Sequence, residues 1–131
     1  MIRHLDSDTI IAHLRGRGRI AERLKEFKGS LAMSAIVYCE LVYGALKSKQ
    51  PAEDLLDVQE FARIAPVVPL EPCCAEAYGR TRLDLTRRGL NIGDADLLIG
   101  ATALAHNAIL VTHNKKHFAR IEGLQLEDWL A

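Results

Sequence analysis

Five acids in this sequence stand where a carboxylate can do more than solvate a surface: Asp6, Asp8, Glu40, Asp94 and Asp96. Converging carboxylates bind hard divalent cations such as Mg2+, which take oxygen ligands and keep several waters. Ions held this way activate a water, orient a phosphodiester and stabilise the leaving oxygen, so no nucleophilic side chain is needed. They also let an acidic site accept a polyanion, because bound metal reverses the local charge. Each acid has a plainer reading too. Asp8 and Asp94 suit helix N-caps. Asp96 suits a first helical turn, where the macrodipole favours anions, and Asp6 suits a turn after a strand. Glu40 sits among Ile36, Val37, Leu41 and Val42. A carboxylate on so apolar a helix needs a hydrogen bond, a cation or an arginine such as Arg82.

The elements that must position these acids alternate along the chain. Ile2 to Leu5 reads as a short strand ending at Asp6, and Asp6-Ser7-Asp8-Thr9 supplies capping residues for a following helix. A basic helix runs from about Arg19 to Phe27. Leu31 to Met33 reads as a strand, and Ser34 caps a helix that fades by Lys47. Pro51 opens a helix to about Ala65. Val67 to Leu70 reads as a brief strand. Pro72 opens a long helix that ends before Gly89, a suitable C-cap. Gly93-Asp94 opens the next helix, followed by a buried strand at Ile109–Val111, a short helix from Lys115 to Ala119 and a last strand at Leu124–Leu126. Strands alternating with helices imply one α/β domain with a mostly parallel sheet and helices on both faces. Such sheets bind ligands beyond the carboxyl ends of their strands. Asp6 and Thr112-His113-Asn114 both fall there.

The bulk composition fits that reading. The chain has 131 residues and is 49% hydrophobic, enough for a core without staples. Its aromatics are few, so Leu, Ile, Val and Ala must build that core. Seventeen basic residues balance 17 acidic ones, which is not the profile of a strongly basic nucleic-acid binder. The charge is clustered, however: Arg15, Arg17, Arg19, Arg23, Lys25 and Lys28 sit together, as do Arg80, Arg82, Arg87 and Arg88. Either cluster suits phosphate contacts or a solvated helix face. Cys39, Cys73 and Cys74 are a poor disulfide framework and are expected to be reduced. Cys39, within an apolar helix, reads as a core residue. No apolar run is long enough to span a bilayer, and the first residues lack a secretory pattern, so a soluble cytoplasmic protein is expected.

Competing chemistries lack their signatures. No Gly-x-Gly-x-x-Gly follows a buried strand, so a dinucleotide-binding module is disfavoured. No nucleophile elbow marks a hydrolase. His106, His113 and His117 raise the thought of zinc, but no His-Glu-x-x-His occurs and Cys73-Cys74 reads as a poor partner, so surface histidines are expected.

Four segments carry a family resemblance. They are Leu5-Asp6-Ser7-Asp8, Ser34 through Glu40-Leu41-Val42-Tyr43-Gly44, Ile92-Gly93-Asp94-Ala95-Asp96-Leu97-Leu98-Ile99-Gly100-Ala101, and Leu110-Val111-Thr112-His113-Asn114 with Phe118. In that order and spacing they resemble the PIN domain, specifically the VapC-type toxin of toxin–antitoxin pairs. Gly123-Leu124 and Trp129 match the family's closing strand. The resemblance implies a PIN-like three-layer α/β fold over residues 1–131 as a single domain. It implies an endoribonuclease dependent on Mg2+ or Mn2+. Asp6 and Asp96 match the principal metal ligands, Glu40 the third acid and Asn114 the fourth catalytic position. Ser7, Asp94 and Thr112 match supporting positions. The family also implies an RNA substrate, a small VapB-like antitoxin that blocks the groove, and a homodimer. Arg17, Arg19 and Arg23 follow the first motif and are expected to contact RNA or antitoxin. The alternative is a PIN-like module without activity that works through protein or RNA binding.

Overall fold

The computed structural model describes residues 1–131. Five strands and seven helices follow one another as β1 (Arg3–Leu5), α1 (Ser7–Leu14), α2 (Ile20–Glu26), β2 (Leu31–Ser34), α3 (Ala35–Leu46), α4 (Pro51–Ile64), β3 (Val67–Val68), α5 (Pro72–Arg87), α6 (Asp94–Ala105), β4 (Ile109–Val111), α7 (Lys115–Phe118) and β5 (Gln125–Glu127). The expected α/β alternation is present. The sheet order is β3-β2-β1-β4-β5, and every pairing is parallel.

This order has a direct consequence for a ligand. From β1 the chain winds outward through β2 to β3, then returns to the other side of β1 as β4. The winding direction therefore reverses between β1 and β4, where open α/β sheets carry their crevice. Right-handed crossovers place α1 to α4 on one face and α5 with α6 on the other. Most helix contacts follow that division, with α5 against α6, α3 against α4, and α1 against both α2 and α3, while α3 also meets α6 across it. Leu5 pairs with Val111, so β1 and β4 end level, and the backbone N–H of Asp6 donates to the carbonyl of Val111 at 2.9 Å.

The core is mostly aliphatic, with Leu5, Ile10, Met33, Val37, Leu97, Ile99, Leu110 and Val111 almost fully buried. Three aromatics join it: Phe61, Phe118 and Trp129. Gly100 lets α6 approach the segment after α7. A Cβ there would stand 2.5 Å from Ile121 Cδ1, so no other residue fits without a shift.

Several expected boundaries moved. β3 stops at Val68 because Pro69 has no N–H to continue the ladder. β5 lies one residue later than expected. Trp129 falls beyond that strand and stacks on Phe27 with ring centroids 5.8 Å apart. Cys39 is exposed, on the outward side of α3 rather than in the core.

Candidate active site

Asp6 follows β1 directly and is the N-cap of α1. Its Oδ1 accepts from the Ser7 N–H at 2.8 Å, and its Oδ2 accepts from the Thr112 hydroxyl at 2.7 Å. The carboxylate is almost completely buried and meets no lysine or arginine. Burial, then the nearby charge of Asp8, pushes its pKa up to about 7. The bonds from Thr112 and Ser7 act against this, and the charge of Glu40 adds to it.

Glu40 reaches the same place from α3. Its pKa is raised by burial, and also by the charges of Asp96 and Asp8. The Ser7 hydroxyl is near enough to offset part of this without meeting hydrogen-bond geometry. Glu40 Oε1 is buried with no hydrogen-bond partner. Arg82, the arginine that could have neutralised Glu40, pairs instead with Asp94 at 3.7 Å.

Asp96 lies in the first turn of α6, and its field is felt at Glu40. His117 Nε2 stands 3.1 Å from Asp96 Oδ2, close enough for an ion pair but outside hydrogen-bond geometry, so that nitrogen has no hydrogen-bond partner. Asp8 is not the helix cap; Asp6 is. Asp8 Oδ2 instead accepts from the backbone N–H of His113 at 3.1 Å, which ties α1 to the loop after β4.

The remaining expected residues divide. Thr112 is fully buried and touches Asp6 as described. Its oxygen also accepts from the Asn114 N–H at 3.0 Å. Asn114 caps α7 by position, but its exposed side chain makes no capping bond and none to the acids. Gly93, not Asp94, is the N-cap of α6. Asp94 turns outward to the Tyr78 hydroxyl at 3.2 Å and to Arg82, away from the charges that bear on Asp6 and Glu40. A cleft of about 330 Å³ opens beside Glu40, lined by Ile11, Leu14, Arg15, Tyr43 and Lys47 among others. Arg17, Arg19 and Arg23 are exposed but do not line it.

Two features of this site were not legible beforehand. His117 was expected on the surface and stands against Asp96. Arg15 and Lys47, rather than the three arginines after Arg15, are the cations on the cleft wall. The three histidines considered for zinc also separate: His113 faces Asp128 at 3.0 Å, His117 faces Asp96, and His106 lies by Cys74.

Asp6, Glu40 and Asp96 thus form one acidic pocket at the winding reversal of the sheet, without a neutralising arginine or lysine. A buried carboxylate held near neutral pKa and a second with an orphaned oxygen are what a hard divalent cation would relieve. The donor set is all oxygen, which fits Mg2+ or Mn2+.

Comparison with known proteins gives the family. The PIN domain family model matches residues 4–124. The chain is a PIN-domain protein of the VapC ribonuclease family. Ribonuclease VapC1 of Haemophilus influenzae strain R2866 is 38% identical over 133 aligned residues, covering 98% of each chain. The tRNA(fMet)-specific endonuclease VapC of Shigella flexneri is 31% identical, covering 95% of this chain and 96% of that one. The crystal structure of VapBC2 from Rickettsia felis, bound to a DNA fragment from its promoter, matches with a TM-score of 0.92. It is 34% identical and covers 98% of this chain and 99% of that chain.

Proposed function

We propose that this VapC-family chain is a metal-dependent endoribonuclease toxin that hydrolyses RNA phosphodiester bonds and is restrained by a small VapB-like antitoxin. The convergence of Asp6, Glu40 and Asp96 without a lysine or arginine partner carries this reading. Ribonuclease activity is named for the curated relatives, and the VapBC2 complex supports an antitoxin partner.

Asp6, Glu40 and Asp96 would hold Mg2+ or Mn2+. When bound, the ion supplies Lewis acidity and an activated water for attack on phosphorus. The chain's own residues do the positioning. Thr112 and the Ser7 N–H fix the Asp6 carboxylate, so its oxygens need no reorganisation. Asp8 holds the His113 loop beside them. Asn114, whose N–H donates to the Thr112 hydroxyl oxygen, would be the fourth polar group offered to the substrate. Arg15 and Lys47 on the cleft wall meet the flanking phosphates, and the burial of Asp6 keeps the pocket short of water, which strengthens electrostatic contacts. Arg17, Arg19 and Arg23 are exposed outside the cleft and would be available to RNA or to the antitoxin. Replacing all three by Ala without weakening either interaction removes them from this role. Two copies are expected to pair, which a sedimentation measurement checks.

The deciding experiment is cleavage of total RNA with Mg2+, with EDTA, and by Asp96→Asn. Activity should fall at least about 100-fold in the latter two. Activity indifferent to both would overturn the metal mechanism. A chain that binds antitoxin tightly yet cuts no RNA would instead be a binding module.

A further inference from the structure

The helix α6 carries Asp96 in its first turn and ends at His106, its C-cap. Its 12 residues span about 18 Å, so His106 stands far from the acids. There the fold gathers a second set of ligand atoms. Cys74 Sγ lies 3.6 Å from His106 Nε2, and Glu71 Oε1 lies 3.6 Å from the same nitrogen. The ligand atoms of Cys73, Cys74 and His106 all fall within 4.8 Å of one another. We propose that Cys73, Cys74 and His106, with Glu71 as fourth donor, form a site for a zinc-class divalent cation.

The spacing supports this directly. Around tetrahedral Zn2+, bonds of about 2.3 Å to sulfur and about 2.0 Å to imidazole nitrogen place those two donors about 3.6 Å apart. Cys74 and His106 already stand at that separation. The wider pairs close by rotation of Cys73, which is exposed and free to turn. A thiol–imidazole hydrogen bond accounts for one of these contacts, but not for a second thiol and a carboxylate brought to the same place. Glu71 is the N-cap of α5 yet makes no capping bond, so its carboxylate is available.

A neighbouring group adds an independent sign. His4, in the middle of β1, is 2% exposed, its ring centroid lies 5.9 Å from that of His106, and its Nδ1 has no partner. An unsatisfied imidazole nitrogen is costly to bury. Its ring lies beside this cluster, outside the group of ligand atoms that fall within 4.8 Å of one another.

The chemistry separates the two sites. Sulfur and imidazole select borderline cations such as Zn2+, whereas the carboxylate pocket suits Mg2+. Both thiols lie in the first turn of α5. Binding would release the thiol protons to solvent and join the start of α5 to the end of α6.

The test uses full-length protein stripped with chelator under reductant and titrated with Co2+ alone. Sulfur-to-cobalt charge-transfer absorption in the near ultraviolet and intense tetrahedral bands in the visible should saturate at about one ion per chain. Zn2+ should bleach them and excess Mg2+ should not. Cys73→Ser and His106→Gln, each checked by circular dichroism, should weaken the cobalt complex at least about tenfold. Asp96→Asn should leave its bands unchanged, so that failure at the acidic pocket is not mistaken for failure here. Absence of sulfur charge transfer in the wild type, or bands unaffected in both Cys73→Ser and His106→Gln, would overturn the site.

Discussion

The Thr112 hydroxyl serves two neighbours at once, donating to Asp6 Oδ2 and accepting from the Asn114 N–H. Thr112→Val keeps the shape and removes both bonds. RNA cleavage should fall about 10- to 100-fold while the thermal midpoint changes little, and Thr112→Ser should restore most of the rate. A Val variant as active as wild type would show that Asp6 needs no such anchor. At this scale the sequence was readable for some residues that act on near neighbours, although the caps of α1 and α6 are Asp6 and Gly93 rather than Asp8 and Asp94. Ser34 was expected to cap α3, and it accepts from the Val37 N–H at 3.1 Å. It was unreadable where partners meet across the fold. Cys74 and His106 lie 3.6 Å apart although 32 residues separate them along the chain. The choice of Asp94 rather than Glu40 as the partner of Arg82 likewise depends on how α5 packs on α6, which no spacing rule reports.

At the scale of elements, β1, β5 and α2 are tied by one cluster. Arg3 on β1 makes two 2.9 Å bonds to Glu127 on β5, and its guanidinium lies 3.7 Å above the Phe27 ring. Phe27 stacks on Trp129, whose Nε1 donates to Glu127 at 3.1 Å. Arg3→Ala should cost about 1–3 kcal/mol in urea unfolding at neutral pH. Arg3→Lys should recover only part, since an ammonium cannot make the two-point contact. The bond from Arg3 holds the Glu127 pKa below its ordinary value of 4.5. Its stabilisation is therefore present above that value and lost as pH falls through the lower folded pKa. The gap between wild type and Arg3→Ala should close in acid. The elements themselves were legible because Pro, Gly and capping residues punctuate apolar runs. Strand ends were less so, since a ladder stops where a partner or an N–H is missing. Pro69 announces this at β3, but nothing local announces it before Trp129.

For the molecule as a whole, the acidic pocket sets stability against function. Burial pushes the folded Asp6 pKa up to about 7 from its ordinary value of 3.8, so the folded chain binds more protons than the unfolded one between them. Metal-free protein should therefore lose stability as pH rises from about 4 to about 7. His4 acts oppositely: burial lowers its pKa from 6.5 to about 4, so its penalty grows as pH falls across that range. Asp6→Asn removes the first slope and leaves the second. At pH 8 without metal the variant should be more stable by a few kcal/mol, though inactive. Added Mg2+ should raise the thermal midpoint of wild type and leave the variant nearly unmoved. Equal response of both would place the ion elsewhere.

The bond between Thr112 and Asp6 joins positions 106 residues apart, and β1 acquires its β4 neighbour only after most of the chain has been made. Contacts of such long range form late, because the intervening loop must close before they reward it. A polypeptide emerging from the ribosome would thus carry Asp6 from the outset without its anchor. Destructive competence would arrive only once β4 has joined the sheet, leaving a newly made nuclease an interval of innocence in which a waiting inhibitor can engage it.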